Sequence, residues 1–120
     1  MANPNIVQVG TINGVTNCVT ASTSYQTIVQ NSAGSGQIFK VNTILVANIN
    51  GSNPADITVQ LVKNGTVFNI AFTISVPADA TLVVISKDTS IYLNENDYIR
   101  VLGSVNSYLD VIASYDVISQ

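Results

Sequence analysis

The side chains that could do chemistry in this sequence are seven carboxylates and one thiol, because the chain has no histidine. Without histidine, the triads that use it as a general base cannot form, and the commonest metal ligand is missing. Glycoside hydrolysis needs two carboxylates flanking one bond, whereas the carboxylates here are spread along the chain. The sequence therefore predicts a protein that is not an enzyme, with no catalytic residues and no cofactor.

The densest group of candidate metal ligands is the segment NEND at residues 94–97. It holds Glu95 and Asp97 two positions apart, which is typical of a solvated turn. Calcium would need three or more converging oxygens, and Asn94, Asn96 and Asp97 make a weak set. The sequence predicts no metal site there.

Cys18 is the single cysteine of the chain. A reactive thiol is usually activated by a cationic neighbour, and Cys18 has none close by in the sequence. We therefore expect Cys18 to be a small buried hydrophobic residue.

Aromatic side chains offer one further kind of site, a stacking shelf for sugar rings. Tyrosines on β-sheets more often pack against neighbours or line interfaces, but the shelf keeps a carbohydrate-binding module open as an alternative function. The candidates are Tyr25, Tyr92, Tyr98, Tyr108 and Tyr115.

Composition narrows the partners of the chain. Its 120 residues predict one domain, of which 47% of residues are hydrophobic and only 9% are charged. Four basic residues and a net charge of −3 leave no basic patch for nucleic acid, and no apolar run approaches the roughly 18 residues that span a membrane. The first residues lack the basic and apolar regions of a signal peptide, so we expect synthesis in the host cytoplasm. A surface with so few charges is easier to explain if partners cover much of it.

Short segments of alternating apolar and polar residues, separated by turn residues, run along the whole chain. They predict an all-β protein with about eight to ten antiparallel strands, arranged as a jelly-roll-like β-sandwich over residues 11–120. Lys63-Asn64-Gly65 predicts a hairpin turn, because asparagine and glycine both tolerate positive φ. Residues 1–10 contain a breaker cluster at Asn3-Pro4-Asn5 and are predicted to form an N-terminal arm.

Two strands stand out by their apolar content. The alternating residues of 66–76 form the heaviest apolar stripe in the chain and are predicted to be the centre of the core: Phe68, Ile70, Phe72, Ile74 and Val76. The continuous run Ile44-Leu45-Val46-Ala47 predicts burial on both faces of its strand, one against the core and the other against a partner.

Several segments resemble a family of small virion structural proteins of tailed bacteriophages, with similar sequences in cyanophages and other marine phages. They are VPADATLVVI at residues 76–85, IYLNENDYIRV at 91–101 and LDVIASY at 109–115, together with MANPNIV at 1–7, INGVT at 12–16, FKVNT at 39–43 and VAN at 46–48. The family commonly has Glu-Gly-Asp where this chain has Glu95-Asn96-Asp97. Asparagine also adopts the left-handed conformation, so the turn can survive the change.

The resemblance implies a capsid decoration (cement) protein, a homotrimer on the capsid surface of the virion that bridges subunits of the major capsid protein. The contacts that we predict for it are in the arm and in the doubly apolar strand: Asn3, Pro4, Ile6, Val7, Val9, Ile44, Leu45, Val46 and Ala47. A tail, neck or fibre-associated virion component is the first alternative, and the carbohydrate-binding module is the second.

Overall fold

The alternating segments form nine strands within residues 10–119, which are the residues that the computed structural model describes. The predicted arm therefore lies, except for Gly10, outside the described residues. The strands are β1 (Thr11–Thr20), β2 (Gln26–Gln30), β3 (Gln37–Asn48), β4 (Ala55–Lys63), β5 (Thr66–Val76), β6 (Thr81–Ile85), β7 (Ile91–Leu93), β8 (Tyr98–Gly103) and β9 (Leu109–Ser119). A single 3₁₀ turn, Lys87–Thr89, joins β6 to β7. Within the described residues, no helix has the length and apolar character to cross a membrane.

The strands make two antiparallel sheets that pack face to face. Sheet A has the order β1-β9-β3-β6, with β7 also paired to β3, and sheet B has the order β2-β8-β4-β5. Two connections stay within one sheet: the β4–β5 hairpin in sheet B, and the link between β6 and β7, which both pair with β3 in sheet A. Every other connection carries the chain from one sheet to the other. This is the strand arrangement of a jelly roll, in which two Greek keys are folded together. The predicted all-β antiparallel sandwich is confirmed.

The core lies between the middle strands of the two sheets. Ile57 and Val59 of β4 and Ile99 and Val101 of β8 point inward from sheet B and are fully buried. Alternate residues of β3 and β9 face them from sheet A: Phe39, Val41, Ile44, Val46, Leu109, Val111, Ala113 and Tyr115. Each of the buried Val, Leu, Ile and Phe side chains contributes about 1.5–3 kcal/mol of hydrophobic stabilisation before conformational entropy is subtracted. The inward residues of β4, β8 and β9 alternate along each strand with residues of the outer face.

Two predicted turns have the backbone geometry that their residues favour. Asn64 and Gly65 close the β4–β5 hairpin with φ of 52° and 79°, which is typical of a type I′ turn. Asn96 has a φ of 73°. Asn96 therefore adopts the left-handed conformation, which asparagine tolerates better than most residues.

The prediction that β5 is the centre of the core is wrong. β5 is the edge strand of sheet B, and Phe68, Phe72 and Ile74 are 54%, 61% and 42% exposed. Its pairing with β4 is irregular, because Ile57 pairs with Ile74 while Val59 pairs with Ala71. The extra residues on β5 form a bulge, and bulges shift the alternation of side chains between the two faces. Of the predicted stripe, Val76 alone is fully buried.

Candidate interaction surfaces

The structure divides the predicted contact residues into three groups. Asn3, Pro4, Ile6, Val7 and Val9 lie outside the described residues. Ile44 and Val46 are completely buried in the core, so the prediction that they contact a partner is corrected. Leu45 and Ala47 alternate with them along β3 and are half-buried on the opposite, outer face of the strand.

Leu45 belongs to a row of apolar side chains that crosses the outer face of sheet A. Strand register places Cys18 of β1 opposite Ile112 of β9, Ile112 opposite Leu45 of β3, and Leu45 opposite Val83 of β6. Cys18, Ile112 and Val83 are all exposed. We call these four residues the apolar row. It crosses β1, β9, β3 and β6 and is a continuous surface that a protein partner could cover.

Polar residues border the apolar row on both sides. Toward one end of the sheet, Thr20 and Thr81 lie in line with Asp110 and Ala47, and Thr20 Oγ1 donates to Asp110 Oδ1 at 2.9 Å. Toward the other end, Thr16 and Thr43 both pair with Ser114. An apolar centre with a rim of hydroxyl groups is the usual composition of a protein–protein contact.

The prediction that Cys18 is buried is wrong. Cys18 is exposed, because the alternation of β1 turns its neighbours inward instead. Asn17 is one of them, and its Nδ2 donates to the Tyr115 hydroxyl at 3.1 Å and to the Ile28 carbonyl at 3.0 Å. This pair of hydrogen bonds fixes which face of β1 turns outward and leaves the Cys18 thiol on the surface.

A second apolar surface lies where the edge strands of the two sheets come together. β5 ends sheet B and β6 ends sheet A on the same side of the sandwich, and an open cleft of about 380 Å³ separates them. We call it the edge cleft. It is lined by Ile70, Ala71, Phe72, Ile74, Leu82, Val83 and Val84.

Sequence reasoning missed the edge cleft, although a signal for it was present. Eleven consecutive residues of β5 carry no charge, and Pro77 follows them. Proline inside a sheet is confined to edges and strand ends. The combination points to an uncharged edge strand rather than to a central one.

The prediction of a solvated turn at residues 94–97 is wrong for Asp97, whose carboxylate is part of a buried structural network. Asp97 is buried, and its Oδ2 accepts from Lys63 Nζ at 2.9 Å and from the Asn94 backbone N–H at 3.0 Å. A cation at this oxygen would have to displace the lysine. Over residues 10–119, no group of three or more His, Cys, Asp or Glu side chains is placed to hold a metal ion.

The tyrosines do not form one shelf. The two exposed rings lie on different sheets, since Tyr25 precedes β2 in sheet B and Tyr92 is on β7 in sheet A. The Arg100 guanidinium covers one face of the Tyr25 ring at 4.2 Å. Tyr115 is in the core, stacked on Phe39 with ring centroids 5.3 Å apart, and its burial raises the pKa of its phenol.

Comparison with known proteins finds a likeness among solved structures. No family model matches the chain, and no curated protein matches it. Among solved structures, the chain is similar to a protein of Bacillus endospore appendages, which "form a novel family of disulfide-linked pili". The two share 18% identity with a TM-score of 0.50, over 100% of this chain and 94% of the other. At this identity the likeness shows a shared fold.

Proposed function

We propose that this protein is a non-enzymatic structural subunit of a tailed-phage virion, and that it is a capsid decoration protein. The observation that carries the proposal is the apolar row on the outer face of sheet A. It contains Leu45, which is, with Ala47, one of the two predicted contact residues within 10–119 that remain accessible. The resemblance of the sequence to phage virion proteins supplies the kind of particle.

The proposed action is stabilisation by binding the assembled head and not its separate subunits. Each bound copy then shifts the equilibrium away from disassembly. Copies joined as a homo-oligomer, a homotrimer by the resemblance, bind several capsid subunits at once, so weak single contacts add up through avidity. The scarcity of charges fits such a role, because a surface covered in the particle does not have to keep the chain monomeric.

A pilus-like appendage subunit is the second candidate, and the shared fold with the endospore appendage protein favours it. That protein belongs to disulfide-linked pili, and Cys18 of this chain is an exposed thiol on the edge strand β1. In this alternative, Cys18, the single cysteine of the chain, would join two subunits by a disulfide formed with an external oxidant, and further subunits would have to associate without covalent bonds. A tail, neck or fibre component of the virion differs from the decoration protein in copy number. The carbohydrate-binding module is less favoured because Tyr25 and Tyr92 lie on different sheets.

The test is the number of copies of this chain per purified phage particle, measured by mass spectrometry against the major capsid protein. A decoration protein should be present in numbers on the order of the capsid subunits. A much smaller fixed number would move it to the neck or tail. Absence from the particle, with disulfide-linked dimers on a non-reducing gel, would favour the appendage.

The contact face is tested with variants added to particles that lack the protein. Ile112→Lys and Leu45→Ser should lower occupancy by about tenfold or more, since a central apolar contact is often worth over 1 kcal/mol. Tyr25→Ser, an exposed change on the other sheet, is the matched control. Equal binding by all three variants would remove the apolar row from the proposal.

A further inference from the structure

The side of the sandwich that holds the edge cleft exposes several large apolar side chains. The proposed capsid contact does not cover most of them. Phe72 and Ile74 of β5 and Val83 of β6 line the edge cleft and are exposed, and Phe68, farther along β5, is exposed as well. We call these four residues the edge face. Neither β5 nor β6 contains a charged residue or an internal proline. Monomeric proteins usually protect a sheet edge with such residues, and this one does not.

We propose that copies of this chain associate with one another through the edge face. The inference rests on the proposed function in that it names the surface of the expected homo-oligomer. It does not depend on the kind of particle. Val83 is shared with the apolar row, whereas the three residues of β5 belong to the edge face alone.

The area of the edge face supports a second copy as its occupant. The exposed parts of the four side chains amount to roughly 400 Å² per copy, since large apolar side chains carry about 150–250 Å² each. The largest apolar patch of a monomer is about 300–600 Å² and often marks a functional surface. Two such patches bury roughly 800 Å² together, and interfaces below about 1,200 Å² are those of weak, reversible association.

Charge supports the same occupant. Around a symmetry axis, the residues nearest the axis meet their own counterparts, so any charge there faces a like charge. The 11 residues of β5 and the 5 of β6 hold no charge, and the face can therefore meet itself without repulsion. A partner chosen by charge complementarity would find nothing to recognise.

The shape of the edge face also suits self-association, because an exposed phenyl ring lies beside an open cleft. Phe72 projects at the rim of the edge cleft, whose volume of about 380 Å³ is open toward solvent. The phenyl ring of one copy fits a cleft of this kind in the next. Aromatic side chains in such pockets commonly provide most of the binding energy of an interface.

The bulge in β5 limits the ways in which the edge faces of two copies can associate. Thr73 has a φ of 48°, and its backbone N–H donates to Thr58 Oγ1 at 3.1 Å inside the sheet. Continuous main-chain pairing with another strand is interrupted there, because a bulge bends and twists the edge. Association therefore relies on side-chain packing, which favours a closed oligomer over an open-ended fibre.

The experiment is sedimentation equilibrium of the full chain over a wide concentration range, with and without reducing agent. The wild type should form a discrete oligomer that dissociates on dilution and is insensitive to reductant. Phe72→Ser should weaken the association by roughly 100-fold or more, because the change is repeated in every copy. Ile12→Ser, an exposed isoleucine on β1 at the opposite edge of sheet A, should leave it unchanged.

A fluorescent reporter separates this inference from the capsid proposal. The chain has no tryptophan, so Phe72→Trp places a single indole at the edge face. Its emission should shift to shorter wavelength as concentration rises, whereas emission from Ile12→Trp should stay constant. A wild type that is monomeric throughout, or an oligomer that survives Phe72→Ser, would overturn the inference. Neither result depends on whether the protein is found in phage particles.

Discussion

Asn31 is the residue whose replacement should disturb this fold most for the smallest change in shape. It is completely buried in the loop after β2. Its Nδ2 donates to the Gln37 carbonyl at 2.9 Å and to the Leu93 carbonyl at 3.0 Å, and its Oδ1 accepts from the Ser35 hydroxyl. Its backbone exchanges hydrogen bonds with Asn96 and Asp97. The side chain of Asn31 thus ties β3 to β7, and its backbone ties both to the turn before β8.

Asn31→Asp keeps the shape and the acceptor but removes both donors. Each lost bond leaves a buried carbonyl oxygen without its partner, at about 1–3 kcal/mol. The new carboxylate also faces those two oxygens in a buried site, so we expect a total loss of about 3–6 kcal/mol at pH 7. That is a large part of the roughly 5–15 kcal/mol by which domains of this size are stable.

The assay is urea unfolding followed by far-UV circular dichroism at pH 7 and at pH 4. Protonation of the new carboxyl restores one O–H donor, so the loss of stability should be smaller at pH 4 than at pH 7. Asn106→Asp is the matched control, because exposed Asn106 only accepts, from the Thr23 backbone N–H at 2.8 Å. It should change stability by less than about 0.5 kcal/mol. A loss under about 1 kcal/mol for Asn31→Asp would refute the assigned role of its two donors.

Three further changes test other features of the structure. Lys63→Met should lower the free energy of unfolding at neutral pH by about 2–4 kcal/mol in urea, because it leaves the buried Asp97 carboxylate, 2% exposed, without its cation. Lys87→Met, at an exposed lysine, is the control and should change stability little. Equal losses in the two variants would contradict the Lys63–Asp97 pairing. Thr73→Gly should raise the melting temperature by a few degrees, since a β-branched residue is strained at positive φ and glycine is not; a lower melting temperature would contradict that strain. Cys18 should react with a thiol reagent in the native protein about as fast as in urea, and slow native reaction would contradict its exposure.

Alternation in the sequence predicted the local structure well where both faces of a strand meet their expected surroundings. The inward residues of β4 and β8 and the turns at Asn64-Gly65 and Asn96 follow from period-two patterning and from residues that tolerate positive φ. These features depend on neighbours in the chain or on one adjacent strand. Residue types at those positions therefore suffice to predict them.

The candidate surfaces were harder to predict, because they depend on which strand ends each sheet. Alternation groups Phe68, Phe72 and Ile74 of β5 without saying what lies opposite them. Cys18 was misplaced for a related reason. Its strand β1 is also an edge strand, and the inward position beside it is taken by Asn17, whose amide is satisfied by Tyr115 from the far end of the chain. No local pattern records a contact between residues so distant in sequence.

The error over β5 itself bears on the proposed oligomer. A stripe of five large apolar residues is selected where it is removed from water, and the isolated domain buries Val76 fully but leaves three of the others exposed. Association through the edge face would cover Phe72 and Ile74 and would make the stripe interior after all. The sequence pattern would then describe the core of the assembly rather than the core of one chain. On this argument, the loss of association in Phe72→Ser and the wrong placement of the core have the same physical cause.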